Sequence, residues 1–390
     1  MSDRAALRLR LGNALAAQGI DAYIALTPAN YRYITGHASA FLDLSWQMTG
    51  TDMAILPTDQ GLAPAILVSD YSAPEASRNS DIEDVRTYSM WTENRAIQDL
   101  TATPARRIER PEQYDSRSIF GIAREVLADR GLSHAVIGTD LTQMKTSTMH
   151  AMHAALPNNR IVDCEETVYA VRSIKEPFEI DRLARAAALF DHGAEATFQA
   201  LEPGQSAPEL RGILDAAIRE KAPECEATFF FPHFGMDGAV SRDALVKLDA
   251  GARVGGYWSD GCRHRVFGRP TAMQRRVHEA LSSGYAAALE KIRPGALMRD
   301  VFQAGIDGVR KYGLPGYSRG HIGHSIGLDG QIEEAPFIGP NETQIKENMV
   351  LCLELPCYPP DLGGFNIEDM LLVTATSVRP LTHLSHRLAI

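Results

Sequence analysis

Apolar residues fall into two regimes along this chain. In the first, up to about residue 165, they come as short runs between helical spacings. Residues 4–18 carry a helical pattern that ends at Gly19, and the run Ala22-Tyr23-Ile24-Ala25-Leu26 that follows reads as a strand. Residues 53–56, 65–68 and 135–138 are further strand candidates, and 118–129 reads as a helix. Strands alternating with helices predict a sheet with helices packed against it. No G-x-G-x-x-G follows any of these strands, so a dinucleotide site has no support.

The texture changes between Val168 and Pro177. From Glu179 onward Ile180, Leu183, Ala187, Phe190, Ala194, Phe198 and Leu201 recur at spacings of three and four, the stripe of an amphipathic helix, which Pro203-Gly204 stops. Met273, Val277, Leu281, Tyr285, Ala288 and Ile292 make a second such stripe, stopped by Pro294-Gly295. The two Pro-Gly stops lie 91 residues apart, and at that offset Leu210 matches Val301 and Ile218 matches Val309. A helix pair followed by strand-like sequence, twice over, points to an internal duplication.

Composition narrows the class. The chain has 390 residues, 45% apolar and 23% charged, which suits two or three packed structural units. The formal net charge is −10 and no Lys/Arg block stands out, so nucleic acid is not an expected partner. No apolar run approaches the length of a membrane helix, and the segment after Met1-Ser2-Asp3-Arg4 is alternately charged, unlike a secretory leader. The five cysteines, Cys164, Cys225, Cys262, Cys352 and Cys357, form no CxxC pair, so reduced thiols and a cytoplasmic location are expected.

The chemistry gathers in the second half. Leu245-Val246-Lys247-Leu248-Asp249 and Tyr257-Trp258-Ser259-Asp260 flank a glycine-containing reversal. A hairpin centred between Val254 and Gly255 sets Asp249 opposite Asp260, with Cβ atoms about 4.5–5.5 Å apart. Met349 to Glu354 and Phe365 to Val373 repeat the arrangement around a turn near Asp361, setting Glu354 opposite Glu368. Paired carboxylates in apolar sequence repel and are costly to bury unless cations lie between them. Two divalent ions would balance four such charges. Between the hairpins, Gly323-His324-Ser325-Ile326-Gly327 brings in an imidazole flanked by glycines. One imidazole with four carboxylates suits Mn, Fe, Co or Zn. Any one of these acids taken singly reads as an exposed hairpin residue; the full set does not.

Asp249-Ala250-Gly251 with Asp260 eleven residues on, Gly323-His324-Ser325-Ile326-Gly327, Glu354 after an apolar strand, and Ile367-Glu368-Asp369 together resemble the creatinase/aminopeptidase P/prolidase superfamily of the pita-bread fold. The resemblance runs from about Arg172 to the C-terminus, with a creatinase-type domain before it. It implies an α/β (α+β) chain with an N-terminal domain over 1–168 and a pseudo-symmetric catalytic domain over 169–390. It also implies two divalent ions, Mn²⁺ first, with Co²⁺, Zn²⁺ or Fe²⁺ as alternatives, held by Asp249, Asp260, His324, Glu354 and Glu368. In such enzymes a water of lowered pKa attacks an amide carbonyl. Glu354 matches the general base, and His233, in Phe231-Pro232-His233-Phe234, lies near a substrate-contacting histidine of the family. A homodimer is expected from the resemblance alone.

Several positions depart from the Xaa-Pro peptidase pattern. Gln331 stands seven residues after His324, where a histidine is usual; glutamine hydrogen-bonds but does not shuttle protons. Asn366 replaces an arginine, Leu355-Pro356 replaces Pro-Gly, His264 replaces a threonine, and His321 is an added neighbour. Gln331, His264 and His321 are therefore the candidate substrate contacts. Cys262 and Cys352 share strand faces with ligands but read as small buried fillers. Asp43 and Trp46, after Tyr31-Arg32-Tyr33-Ile34-Thr35-Gly36, are weighed as substrate contacts against surface packing. Three readings follow. The first is an Xaa-Pro dipeptidase or aminopeptidase P-like hydrolase of short peptides. The second is a hydrolase or lyase of a small metabolite, creatinase-like or acting on an ectoine-type derivative. The third is a non-catalytic binding protein on the same fold.

Overall fold

The computed structural model describes residues 3–44, 50–102, 109–233, 238–329 and 333–389. They form two compact units, Met1–Val171 and Arg172–Ile390.

The first unit is built on a mixed six-stranded sheet of β1 (Ala22–Ala25), β2 (Met53–Pro57), β3 (Ala65–Ser69), β4 (Asp84–Tyr88), β5 (Val136–Thr139) and β6 (Arg160–Asp163), in the order β4-β3-β2-β1-β5-β6. Ile24, Ile55, Leu67 and Ile137 from the strands pack with Phe120 and Val126 of the helix Ser116–Asp129 and Met152 of the helix Thr146–Ala155. The four apolar runs form the four inner strands. The sequence gives no sign of β4 (Asp-Val-Arg-Thr-Tyr) or β6 (Arg-Ile-Val-Asp), because these are the two edge strands. Edges carry charge that discourages pairing with other chains, and that charge breaks the apolar run.

The second unit carries an antiparallel sheet of nine strands: β7 (Ala227–Phe230), β8 (Leu245–Val254), β9 (Tyr257–Trp258), β10 (Gly261–Val266), β11 (Gly323–Ser325), β12 (Glu334–Phe337), β13 (Val350–Glu354), β14 (Glu368–Val373) and β15 (Val378–Pro380). Its main path runs β12-β11-β13-β14-β10-β8-β7, with β9 on β8 and β15 on β14. One face is covered by two helix pairs. The helices Pro177–Gln199 and Ala207–Lys221 pack Phe190, Leu214 and Ile218 on Val246, Leu248 and Ala250. The helices Ala272–Leu289 and Met298–Lys311 pack Leu281, Val301 and Val309 on Leu351, Leu353 and Leu371. The 91-residue offset is thus a repeated unit, one helix pair per half of the sheet. Capping boxes start three of the four helices, with Glu176/Glu179, Ser206/Glu209 and Thr271/Gln274 satisfying the first free N–H groups. Met273, which the periodicity assigns to the core stripe, is 51% exposed.

Successive side chains alternate faces along a strand. Val246, Leu248 and Ala250 face the helices, so Lys247 and Asp249 face away from them. The same parity sends Cys352, Glu354, Asn366 and Glu368 to the open face.

Candidate metal centre

The two hairpins place the carboxylates, one as expected and one with a shift. Glu354 pairs with Glu368 in the β13–β14 register. In the other hairpin the turn is Gly255-Gly256, because Arg253 pairs with Trp258 and Val254 with Tyr257. The expected centre between Val254 and Gly255 is one residue too early, so Asp249 lies opposite Cys262 and not opposite Asp260. Moving a hairpin centre by one residue moves each partner by two, which preserves the face. Asp249 and Asp260 are therefore diagonal neighbours on one face. Gly251 allows the fit: a Cβ there would lie 1.9 Å from the Ser259 carbonyl oxygen.

Asp249, Asp260 and Glu368 offer carboxylate oxygens that all lie within 4.8 Å of one another. His324 Nε2 stands 3.5 Å from Glu368 Oε1 and 3.7 Å from Asp260 Oδ2. Its Nδ1 lies 2.9 Å from the Ser325 carbonyl oxygen, which leaves Nε2 for the centre. Asn366 Nδ2 bridges Glu354 Oε2 at 3.3 Å and Glu368 Oε2 at 3.4 Å. The five side chains named from the sequence thus converge on one patch.

Electrostatics mark the patch as short of positive charge. Burial pushes the Asp260 carboxyl well above the usual range, with Glu368 and Asp249 adding to it. Burial also raises Asp249, although Lys247 opposes the shift. Glu368 is pushed up to about 8 by burial and by the charges of Glu354 and Asp249, against its hydrogen bond with His324. Burial works to lower His324, but Glu368 outweighs it and holds the imidazole at about 8. Asp260 Oδ1 is buried without a hydrogen-bond donor among the described residues. An orphaned buried carboxylate oxygen, among carboxylates whose pKa values are raised by burial and beside one imidazole, fits a divalent cation.

Two cations flank the patch. Lys247 Nζ lies 3.0 Å from Asp249 Oδ2, and Arg319 Nη2 lies 3.0 Å from Glu354 Oε1. The sequence reading assigned neither, although Lys247 is two residues before Asp249 in a strand and so had to share its face. A cavity of about 1000 Å³ opens over Asp249 and Glu354, walled by Arg319, Tyr317, Tyr358 and Met273 among others. Met273 has left the core stripe to line it.

The expected substrate contacts separate. His233 is at the rim: its backbone pairs with Lys247, its ring is exposed, and Nδ1 accepts from the Gly364 N–H at 3.2 Å. His321 is near the centre, with Nδ1 3.8 Å from Glu354 Oε1 and Nε2 3.8 Å from Glu333 Oε2. Burial and then Arg319 lower its pKa. His264 is enclosed, with Nδ1 at the Asn366 backbone and Nε2 2.9 Å from Nδ1 of His278 on the helix Ala272–Leu289. Burial drops it to about 3, so it is a neutral packing element. Cys262 and Cys352 are fully buried thiols pushed well above the thiol range by burial, in keeping with fillers. Asp43 is exposed on the short helix Ala40–Leu44. Gln331 and Trp46 lie outside the described residues.

The family model described as Metallopeptidase family M24 matches residues 181–375, and that for the Creatinase/Prolidase N-terminal domain matches 8–174. An Xaa-Pro dipeptidase of Pyrococcus furiosus is 28% identical over 235 residues, 57% of this chain and 67% of its own length. A Sinorhizobium fredii protein described as a hydrolase/peptidase is 26% identical over 386 residues, 95% of this chain and 92% of its own. Among solved structures, an Xaa-Pro dipeptidase from Bacillus anthracis superposes with a TM-score of 0.81 at 19% identity, each chain covered over 100% of its length. The chain belongs to metallopeptidase family M24, within the creatinase/aminopeptidase P/prolidase superfamily, and is a metal-dependent hydrolase of peptide bonds with a creatinase-type N-terminal domain.

Proposed function

We propose that this chain is an Xaa-Pro dipeptidase or aminopeptidase P-like enzyme that holds two divalent ions, Mn²⁺ first among them, on Asp249, Asp260, His324, Glu354 and Glu368. The convergence of these five side chains on one face of the sheet, with an orphaned carboxylate oxygen at its centre, carries the reading. Relatives named Xaa-Pro dipeptidase support the substrate class.

When bound, the ions supply Lewis acidity, lowering the pKa of water and polarising the scissile carbonyl. The protein does the rest. Glu354 faces the cavity and accepts the proton of the attacking water, which it then passes to the leaving nitrogen. Arg319 and Asn366 hold the Glu354 carboxylate in place from its two sides. His233 at the rim and His321 beside Glu354 are placed to contact the substrate. Gln331 is assigned a hydrogen-bonding role toward substrate from its position after His324, and His264 braces Asn366 from behind. The protein acts as a homodimer on short peptides in this reading, and its location is cytoplasmic.

A second reading, a hydrolase of small non-peptide amides, is favoured by one observation. Asn366 takes the place of the family's usual arginine, and among the described residues Lys247 and Arg319 pair with Asp249 and Glu354. Proline release from Ala-Pro and Gly-Pro separates the two. Release that a chelator abolishes, Mn²⁺ restores and Glu354→Gln lowers by about 10²–10⁴-fold supports the peptidase reading. A metal-loaded protein that releases no proline moves the assignment to small amides.

A further inference from the structure

We infer that Cys352 is a sulfur ligand of this centre, set to join His324 and Glu368 around a divalent ion that accepts thiolate, such as Zn²⁺ or Co²⁺. The inference rests on the reading of His324 and Glu368 as ligands, and goes beyond it by adding a donor of a different chemical kind.

Register is the first argument. Cys352 stands directly opposite His324 where β11 pairs with β13, and two residues before Glu354 on the same face. Facing side chains of an antiparallel pair have Cβ atoms about 4.5–5.5 Å apart. Gly323 lets the two strands close up at this point, since a Cβ there would lie 2.1 Å from the Cys352 carbonyl oxygen.

Donor spacing is the second argument. Cys352 Sγ, a ring nitrogen of His324 and a carboxylate oxygen of Glu368 all lie within 4.8 Å of one another. Bonds of about 2.0–2.3 Å to a tetrahedral ion set neighbouring donors about 3.3–3.8 Å apart. His324 Nε2 already meets that spacing, at 3.5 Å from Glu368 Oε1 and 3.7 Å from Asp260 Oδ2. A small shift of the thiol closes a set of one nitrogen, one sulfur and two oxygens. Cys262 is in register with Asp249 and Glu368, but among the described residues its sulfur belongs to no such group.

The surroundings of the thiols are the third argument. Cys164 Sγ lies 3.7 Å from the Thr139 carbonyl oxygen and Cys225 Sγ 3.3 Å from that of Ala227, so both donate to backbone. Cys352 is instead fully buried beside an imidazole and acids. Without an ion it packs the floor of the patch. On coordination its S–H bond breaks, the sulfur electron pair goes to the ion and the proton is released to water. Mn²⁺ favours oxygen donors and gains little from this sulfur, whereas thiolate suits Zn²⁺ and the ions near it in affinity.

The test is Co²⁺ binding by the full chain, stripped with chelator and followed by near-ultraviolet absorption, where a cobalt–thiolate bond gives a charge-transfer band that oxygen and nitrogen ligands do not. The wild type is expected to show the band, and Cys262→Ser and Cys357→Ser to keep it. Cys352→Ser and Cys352→Ala are expected to lose it and to bind Zn²⁺ at least about tenfold more weakly, with Mn²⁺ affinity changed less than about threefold. Bound Co²⁺ without the band in the wild type, or a band that survives in both Cys352 variants, overturns the inference and leaves the ligand assignment standing. No Co²⁺ held by the wild type overturns both. Should the Cys352 variants fail to fold, X-ray absorption at the zinc edge of Zn²⁺-loaded Cys262→Ser decides. A sulfur neighbour at about 2.3 Å is expected, and its absence overturns the inference.

Discussion

Glu368 and Asp369 are adjacent in β14 and point to opposite faces of the sheet, and their surroundings give them opposite characters. Asp369 is buried, but Arg263 and then His386 hold it below the usual carboxylate range. Arg263 is itself 2% exposed, and its other donors go to backbone carbonyls, Leu384 among them at 2.8 Å. Asp369→Ala strands that guanidinium, and we expect a loss of about 3–5 kcal/mol in urea denaturation. A loss under about 1 kcal/mol would mean that the carbonyls alone satisfy Arg263. Glu368 has carboxylates for neighbours and is pushed up to about 8, as is His324. Both groups bind protons more tightly folded than unfolded. In metal-free protein their contribution to stability is therefore present at low pH and is lost as pH rises through about 8. A metal ion competes with those same protons. The rise in Tm on adding Mn²⁺ to chelated protein should be small at about pH 6 and should grow through about pH 8. A rise that is the same at both values would mean that these groups do not ligate.

At the scale of elements, what the sequence revealed was set by alternation. Parity along β8, β13 and β14 put the ligand carboxylates on one face, and an error of one residue in a hairpin centre left that face unchanged. The exact register was beyond reach, because the glycines after Val254 allow a turn at either of two positions. The edge strands β4 and β6 were illegible because their pattern answers to solvent and not to a core. Lys247 is legible in the same way, since it stands two residues before Asp249 in β8 and shares its face. Glycine sets how closely the ligand strands approach. A Cβ at Gly323 would lie 2.1 Å from the Cys352 carbonyl oxygen, so Gly323→Ala must part β11 from β13 and move His324 away from Glu368. We expect that variant to lose Mn²⁺ affinity by at least about tenfold while its first unit stays folded. Wild-type affinity would show that His324 is not needed at the centre.

At the scale of the whole molecule, two units divide the labour. The first is built on its mixed sheet, and all five expected ligands belong to the second, Arg172–Ile390. The duplicated helix pairs cover one face of the second unit's sheet and the expected ligands lie on the other, so the apolar demands of folding and the polar demands of chemistry fall on alternate residues of the same strands. Asn366 and Lys247 differ in chemistry from a purely apolar strand pattern, and His264 reaches His278 on the helix Ala272–Leu289. The shared face of the expected ligands was readable from the chain because it is written in short strands with fixed parity. The substrate was not, because residues outside the strands, such as His233 at the rim, follow no period that a sequence pattern can place. The account stands or falls on the metal centre. Crystals grown with Mn²⁺ and measured at an energy where manganese scatters anomalously test it directly. The account predicts anomalous peaks about 2.0–2.3 Å from oxygens of Asp249, Asp260, Glu354 and Glu368 and from His324 Nε2. Density for Mn²⁺ elsewhere on the protein, with none at this patch, would contradict it.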